Sequence, residues 1–406
     1  MTISKNEFSK GGLVLFACFV GVGVGFSSLN YYTAGIFLTA YESEFGWSRS
    51  LISAQGIIGV VALVLLSPVI GTLVDKVGTR LVASISLLMY GLCFIAISRL
   101  LDSVVSFLAL SLVTAIAAAG STPVTFTRTV ALWFDLSRGI ALGLALVGTG
   151  VTAVIAPLYL TELIVQEGWR EGAQALGIVV LAGATIVALF LRDNPDSFQR
   201  SRDLTSSEHP SLETDNTQGH VKSRVYWLLA VVFFLVALAV SGLIVHFIPM
   251  LVDTGLTLKE AGKYAATIGV AVIIGRISIG LLIDRFFAPR IACIVFLLAA
   301  LALVTFAAQG QNMAFFAALA IGITMGAEVD LISFLTSRYF RLENYGRVYG
   351  GLYSIFIIGA AVSPVLMGVL FDVYGTYFAA LIISIIALLV SAVAFLFLPN
   401  YPGANR

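Results

Sequence analysis

The chain of 406 residues is 59% hydrophobic and only 11% charged, and its formal net charge is +1 at pH 7. Soluble globular proteins carry about a quarter charged residues, so this composition indicates a protein embedded in lipid. The low net charge and the lack of basic blocks exclude a nucleic-acid-binding protein. Cys18, Cys93 and Cys293 fall in apolar runs without paired spacing, so we expect no disulfide, metal site or cofactor.

Apolar runs of about 20 residues, long enough to cross a bilayer as helices, recur along the chain. The alternation typical of a β-barrel is absent, so the sequence predicts an all-α membrane protein. Twelve transmembrane helices are predicted, at roughly 11–39, 49–72, 80–99, 104–134, 138–165, 170–192, 225–252, 257–283, 290–309, 313–340, 346–371 and 376–398.

The polar stretch 193–224 separates two groups of six predicted helices. Its low apolar content predicts a flexible cytoplasmic linker between an N-terminal bundle, 1–192, and a C-terminal bundle, 225–406. The two halves also resemble each other, because GTLVDKVGTR after the second helix matches GLLIDRFFAPR after the eighth and aligns Asp75 with Asp284. Such a repeat is typical of transporters whose substrate site lies between the halves.

The distribution of lysine and arginine predicts the orientation. Most of them lie on one side of the predicted helices, which makes that side, with both termini, cytoplasmic. The compact loops and the lack of a targeting segment indicate a bacterial inner membrane protein, and we expect a monomer. The few basic residues predicted on the outer side are Arg49, Arg99, Arg170, Lys259 and Lys263.

Residues Gly71, Asp75, Lys76, Gly78 and Arg80 resemble the loop signature of the major facilitator superfamily, Gly-x-x-x-Asp-Arg/Lys-x-Gly-x-Arg/Lys. The runs YYTAGIFLTAYESEFGWSRS, GWREG, GRISIGLLIDRF and GAEVDLISFLTSRYF resemble its monocarboxylate-porter and oxalate–formate-antiporter branch. The resemblance implies two pseudo-symmetric six-helix bundles. It also implies secondary active transport of a small organic monocarboxylate by alternating access.

A gating role is predicted for the loop signature and its repeat. Asp75 follows the second helix, where a carboxylate can accept hydrogen bonds from a neighbouring helix N-terminus and from basic side chains. Together with Lys76 and Arg80 it is predicted to hold the cytoplasmic side closed. Asp284 and Arg285 are its partial copy in the second half. The alternative is that these charges only set the topology.

Arg276 is the strongest candidate for substrate binding. No acidic residue lies within seven positions of it, in a run that otherwise reads as a membrane helix. A guanidinium at the centre of a membrane helix costs about 2.5–3.5 kcal/mol on insertion scales, so a functional role is the default. In the branch that the chain resembles, the arginine of this motif binds the substrate carboxylate. The alternative is a side chain that extends to cytoplasmic water.

Three further residues are candidates for proton coupling. Glu328 and Asp330 lie two positions apart in the tenth predicted helix, so they point about 200° apart and cannot both face one cavity. A carboxyl that is desolvated in a membrane cavity suits a proton carrier near neutral pH, and Asp330 is the favoured carrier of the two. The alternative is a structural role for both. His246 is a weaker candidate, since a lone buried histidine is more often a packing residue.

Asn30, Tyr31 and Tyr32 interrupt the first apolar run with polar groups. Tyrosines can offer a hydroxyl donor and an apolar wall to a small organic acid, so these residues are predicted to line the substrate site; packing is the alternative. The chain lacks the lysine that the oxalate–formate antiporters carry in the eleventh helix. A single cavity cation favours a monoanion over a dicarboxylate.

These observations predict a proton-coupled monocarboxylate symporter. The alternatives are a proton-driven exporter of amphipathic compounds and an organic anion exchanger. An enzyme is not expected, because His209 and His220 lie in the linker and no nucleophile or metal cluster is present. No GxxxxGK[ST] loop is present either, so an ion gradient or exchange must drive transport.

Overall fold

The computed structural model describes residues 5–134, 137–193, 223–340 and 345–401. Within these ranges, eleven helical segments are long and apolar enough to cross a membrane. One of them, Ala288–Tyr339, is 52 residues long, enough for two crossings, so the described chain agrees with the predicted twelve. The all-α prediction is confirmed. Most of the predicted linker, 194–222, lies outside the described residues.

The first compact unit contains the described parts of 1–34 and 57–212. The helices that contribute to this unit are α1 (Lys5–Val24), α2 (Phe26–Phe45, first part), α3 (Arg49–Val77, second part), α4 (Thr79–Leu100), α5 (Val104–Ala118), α6 (Pro123–Trp133), α7 (Arg138–Glu167) and α8 (Trp169–Phe190). Helix α1 lies against α6, α7 and α8, and α4 lies against α5 and α8.

Two of the apolar runs in this unit are broken helices. The first breaks at Gly25, between α1 and α2, and the second at the short 3₁₀ turn Ala119–Ser121, between α5 and α6. The breaks pack on each other, because a Cβ on Gly25 would collide with the Ser121 carbonyl oxygen. The backbone N–H of Phe26 donates to Ser121 Oγ at 3.3 Å, so a side chain satisfies a group freed by the break.

The second compact unit contains 35–56 and the described parts of 213–406. It includes the end of α2 and the start of α3, so segment 35–56 packs with the helices of the second half. The predicted bundles 1–192 and 225–406 follow the sequence repeat and remain a prediction. The other helices of this unit are α9 (Arg224–Asp253), α10 (Leu258–Arg285), α11 (Ala288–Gln309), α12 (Ala314–Tyr339), α13 (Tyr345–Tyr374) and α14 (Phe378–Leu396).

Glycines bring α10 and α12 into close contact. A Cβ on Gly326 of α12 would lie 2.5 Å from the carbonyl oxygen of Val272 and 2.8 Å from the backbone nitrogen of Arg276. On α10, a Cβ on Gly275 would lie 2.8 Å from the Cα of Ile323. Small residues allow such backbone proximity between membrane helices. The contact fixes Arg276 beside the middle of α12.

Candidate functional site

Arg276 lies on α10 where this helix touches α12, and its side chain is half-buried. Its Nε is buried and has no hydrogen-bond partner among the described residues. A buried donor without a partner is costly, and more so when it is charged. The guanidinium therefore offers an unused donor inside a membrane helix bundle.

Glu328 lies two residues beyond Gly326 on α12 and is 3% exposed. Its Oε2 is also buried without a partner among the described groups. The positive charge of Arg276 interacts electrostatically with Glu328 and with the half-buried Asp330. The structure thus brings Arg276, Glu328 and Asp330 together within the second unit. Two of them carry unsatisfied buried polar atoms, which is the arrangement expected of a ligand site.

An aromatic residue of α13, Tyr353, lies near one of these charges. Tyr353 interacts electrostatically with Glu328. Its ring stacks on Tyr349 at 5.7 Å between centroids and on Phe356 at 5.8 Å, with interplanar angles of 11° and 21°. Sequence reasoning did not select Tyr353. The sequence did contain a signal for it. Tyr353 lies four residues after Tyr349 and three before Phe356, a spacing that places the three rings on one helix face.

Asn30, Tyr31 and Tyr32 lie on α2 in the part that belongs to the first unit. All three are half-buried, and the two tyrosine rings meet edge to face at 5.7 Å and 74°. They therefore belong to a different compact unit from Arg276.

The predicted gating residues lie at helix ends. Lys76 is exposed near the end of α3, and the side chain of Asp75 lies outside the described part of the chain. Arg80 Nε donates to the carbonyl oxygen of Ala188, near the end of α8, at 2.8 Å. Asp284 and Arg285 are exposed at the end of α10.

His246 is completely buried on α9, and both ring nitrogens have hydrogen-bond partners. Nε2 lies 2.8 Å from the carbonyl oxygen of Pro364, which can only accept, so Nε2 carries a proton. Ser53 Oγ lies 3.2 Å from the same nitrogen. Nδ1 lies 2.7 Å from Tyr377 Oη. Tyr377 Oη accepts a hydrogen bond from Arg49 Nη1, so its own proton is available to donate to Nδ1 of a neutral imidazole.

Tyr377 connects His246 to a buried arginine cluster that the sequence analysis missed. Arg49, only 4% exposed, donates from Nη1 to Tyr377 Oη at 2.8 Å. Its Nη1 and Nη2 form a bidentate pair with Asp253 at 2.6 and 2.9 Å, and its Nε donates to both oxygens of Glu42 at 2.9 Å. The guanidinium carbon also lies 3.7 Å from the ring centroid of Phe371.

Asp372 adds a second contact to the same helix start. Its carboxylate accepts from the backbone N–H groups of Arg49 and Ser50 at 3.0 and 3.1 Å. These are first-turn donors of α3, which have no partner inside the helix, and a carboxylate there also favours the helix dipole. Segment 35–56 is thereby held to α9 and to the end of α13 by charged groups. Among the described residues, no group of three or more His, Cys, Asp or Glu side chains could hold a metal ion.

Comparison with known proteins gives consistent matches. The sequence model of the Major Facilitator Superfamily matches residues 20–350. Monocarboxylate transporter 13 of Rattus norvegicus is 26% identical over 98% of this chain and 92% of its own length. Monocarboxylate transporter 12 of the same species is 26% identical over 65% of this chain. The match covers 60% of that relative's own length.

The chain is also similar to a bacterial protein and to a solved structure. The uncharacterized MFS-type transporter YhjX of Escherichia coli is 24% identical over 80% of this chain and 78% of its own length. The chain superposes with a TM-score of 0.71 on a crystal structure of a bacterial homolog to the human lysosomal transporter Spinster. That structure is in an inward-facing and occupied conformation. It covers 97% of both chains at 17% identity, which shows a shared fold.

Proposed function

Because the chain belongs to the Major Facilitator Superfamily, we propose that it carries a small organic monocarboxylate anion across a membrane together with a proton. The family and the shared fold are those of transporters and not of enzymes. They also confirm the predicted major facilitator fold of a multi-pass membrane protein. The substrate, the proton coupling and the site residues are our proposals.

The observation that carries the proposal is the unpartnered Nε of Arg276 inside a membrane-spanning helix. A carboxylate would supply the missing acceptor and neutralise the charge, which makes the occupied site less costly to enclose in a low dielectric. The two rat relatives named monocarboxylate transporters support the same substrate class. Asn30, Tyr31 and Tyr32 are proposed to supply the wall of the site from the first half of the chain.

The proton is proposed to bind the carboxyl groups of α12. Glu328 is almost fully buried and has an unsatisfied oxygen, whereas Asp330 is half-buried, so we now favour Glu328 over Asp330 as the carrier. Ionised Glu328 attracts Arg276 and competes with the substrate carboxylate. Protonation of Glu328 removes that competition, which would couple proton binding to anion binding. For His246 we propose a structural role, because both ring nitrogens are already hydrogen-bonded.

Alternating access is proposed to move the site between the two sides of the membrane. Asp75, Lys76 and Arg80 would hold the cytoplasmic side closed, with Asp284 and Arg285 as their counterparts. The positive-inside pattern favours cytoplasmic termini, and the bacterial relative YhjX is compatible with a bacterial inner membrane. We propose that the monomer is the transporting unit.

The direct test is uptake of radiolabelled monocarboxylates into proteoliposomes with and without an imposed inward proton gradient. We expect gradient-driven accumulation of at least one short monocarboxylate by the wild type and its loss in Arg276→Ala. Amphipathic cations moving instead of acids would overturn the proposal. Unchanged uptake by Arg276→Ala would show that this arginine does not bind the substrate.

A further inference from the structure

An aromatic cluster lies where α11 begins, where α12 ends and where the chain continues beyond α14. Tyr401 is at its centre, with its ring centroid 4.9 Å from that of Phe287 and 5.3 Å from that of Tyr339. Tyr401 Oη accepts a hydrogen bond from the backbone N–H of Ala288 at 3.1 Å. Tyr339 Oη donates to the carbonyl oxygen of Pro399 at 2.6 Å. The three rings are therefore fixed to each other and to the helix ends.

Two exposed arginines lie on this cluster. The guanidinium carbon of Arg290 lies 5.7 Å from the ring centroid of Phe287. That of Arg338 lies 5.8 Å from the ring centroid of Tyr401 and 5.0 Å from that of Phe334, which precedes it on α12. A guanidinium that stacks on a ring is held in place, while its N–H groups stay open to a ligand.

Helix α11 exposes an apolar stripe that starts at Arg290. Ile294, Leu298 and Leu301 follow this arginine at intervals of four, four and three residues, which places them on one helix face. Each of the three is more than half exposed. From Arg290 to Leu301 the helix rises about 16 Å, close to half the thickness of the hydrocarbon core of a bilayer. Arg290 therefore lies at headgroup level on a surface that an acyl chain can cover.

Helix α14 packs against α11 and adds a second apolar stripe. The exposed residues of its second half are spaced three and four apart and include Ile386, Leu389, Val393 and Leu396. Leu396 is the last residue of α14, and the chain continues from it to Tyr401 of the cluster. Two apolar stripes on neighbouring helices, both ending at one basic and aromatic cluster, correspond to the two acyl chains and the headgroup of a phospholipid.

The charge of the cluster favours an anionic headgroup. Guanidinium groups pair with phosphate oxygens through parallel hydrogen bonds. The N-terminus of α11 adds positive partial charge next to Arg290. Asp284 and Arg285, adjacent and exposed at the end of α10, offset each other. The lysine and arginine pattern predicts that this end of the helices is cytoplasmic, the side on which anionic lipids attract basic residues.

We propose that Arg290 and Arg338, held by the rings of Phe287 and Tyr401, bind the phosphate of an anionic phospholipid whose acyl chains lie on the exposed stripes of α11 and α14. Inorganic phosphate offers the same charge, but it has no chains to cover the apolar stripes. The lipid is therefore the ligand that uses both features of this surface.

Photo-crosslinking in a bilayer tests this site. A benzophenone amino acid replaces Leu298, and the full chain is placed in nanodiscs of equal parts phosphatidylglycerol and phosphatidylcholine. After irradiation, mass spectrometry identifies the lipid attached to the protein. Ile178 is the matched control position, because it is 58% exposed on α8 of the first unit and Leu298 is 60% exposed.

We expect phosphatidylglycerol to exceed phosphatidylcholine about tenfold among the adducts at position 298, and the two lipids to be equal at position 178. The double variant Arg290→Gln/Arg338→Gln should lose the preference. Equal adducts of the two lipids at position 298 in the wild type, or a preference that survives in the double variant, would overturn the proposal.

A second double variant controls for the loss of charge. Arg99→Gln/Arg170→Gln also removes two exposed arginines, one of which lies over the ring of Trp169, but on the predicted outer side. We expect it to keep the full preference at position 298. Loss of the preference in this variant as well would show a general effect of net charge and would contradict a local site.

Equilibrium dialysis against radiolabelled inorganic phosphate separates the two sources of a phosphate group. We expect the detergent-solubilised wild type to bind no more phosphate than Arg290→Gln/Arg338→Gln. Phosphate binding that is lost in the double variant, together with equal lipid adducts at position 298, would assign the arginines to free phosphate and overturn the lipid site. Neither assay needs a transported substrate, so both outcomes are independent of the monocarboxylate test.

Discussion

Arg49 and Arg276 show how the surroundings of a side chain decide its role. Arg49 makes hydrogen bonds to Glu42, Asp253 and Tyr377, whereas Arg276 Nε has none among the described residues. A guanidinium that is fully bonded has no donor left for a ligand. One that lacks partners gains most from a bound carboxylate. We therefore propose ligand binding for Arg276 and not for Arg49.

The shape of the Arg276 guanidinium should matter as well as its charge. Arg276→Lys keeps the positive charge but loses the planar fork and the buried Nε donor. We expect the KM for the anion to rise about tenfold, equivalent to about 1.4 kcal/mol of binding, in concentration-dependent uptake measurements. Arg290→Lys, an exposed arginine at the start of α11, is the control and should leave KM unchanged. Equal KM values for Arg276→Lys and the wild type would argue against a bidentate carboxylate contact.

The sequence identified some of these residues and missed others for a physical reason. Arg276 and Glu328 were detectable because a charge within an apolar run is costly wherever the helix packs. Arg49 lies at a predicted helix start, two residues after Trp47, where a basic residue is common and does not suggest a buried partner. Its partner Asp253 lies 204 positions away, and periodicity along one helix carries no information on such pairing.

At the scale of helices, the contact between α10 and α12 positions Arg276 and Glu328, the charged groups of the proposed site. The backbones meet at Gly275 and Gly326, one residue from Arg276 and two from Glu328. Larger residues at these positions would force the helices apart and change the separation of the two charged groups. The two glycines therefore shape the proposed site, although they have no side chain that could contact a ligand.

A single methyl group tests this contact. Gly326→Ala places a Cβ against the Val272 carbonyl, so we expect a loss of about 1–3 kcal/mol in stability and a marked loss of uptake. Gly280→Ala on α10 is the control, since a Cβ there meets nothing within 4 Å. Thermal unfolding in detergent and proteoliposome uptake measure the two effects. Equal behaviour of both variants would show that the helices tolerate separation.

Hydrophobicity predicted the existence of the helices better than their interruptions. The run 11–39 was predicted as one helix, but the structure has two, α1 and α2, which break at Gly25. The break at Ala119–Ser121 was also not predicted. Both runs stay apolar across the break, so hydropathy does not change there. What fixes the breaks is their mutual packing, in which Ser121 accepts from the Phe26 backbone.

At the scale of the whole chain, the fold was predictable because it follows from two strong signals. Long apolar runs require transmembrane helices, and the duplicated loop after the second and eighth helices indicates a repeat. The packing of segment 35–56 with the second unit had no such signal. It depends on Asp253, Asp372 and Tyr377, polar residues at helix ends whose pairing only the three-dimensional structure reveals.

We propose that Arg276 and Glu328 together couple the transport of an anion to that of a proton. The most direct measurement compares wild type and Glu328→Gln in proteoliposomes, by substrate counterflow and by accumulation under an inward proton gradient, with the external pH recorded. We predict that Glu328→Gln keeps counterflow but loses both gradient-driven accumulation and substrate-induced alkalinisation, because its amide cannot bind and release the proton. If accumulation and alkalinisation persist in Glu328→Gln and disappear in Asp330→Asn, then Asp330 and not Glu328 carries the proton.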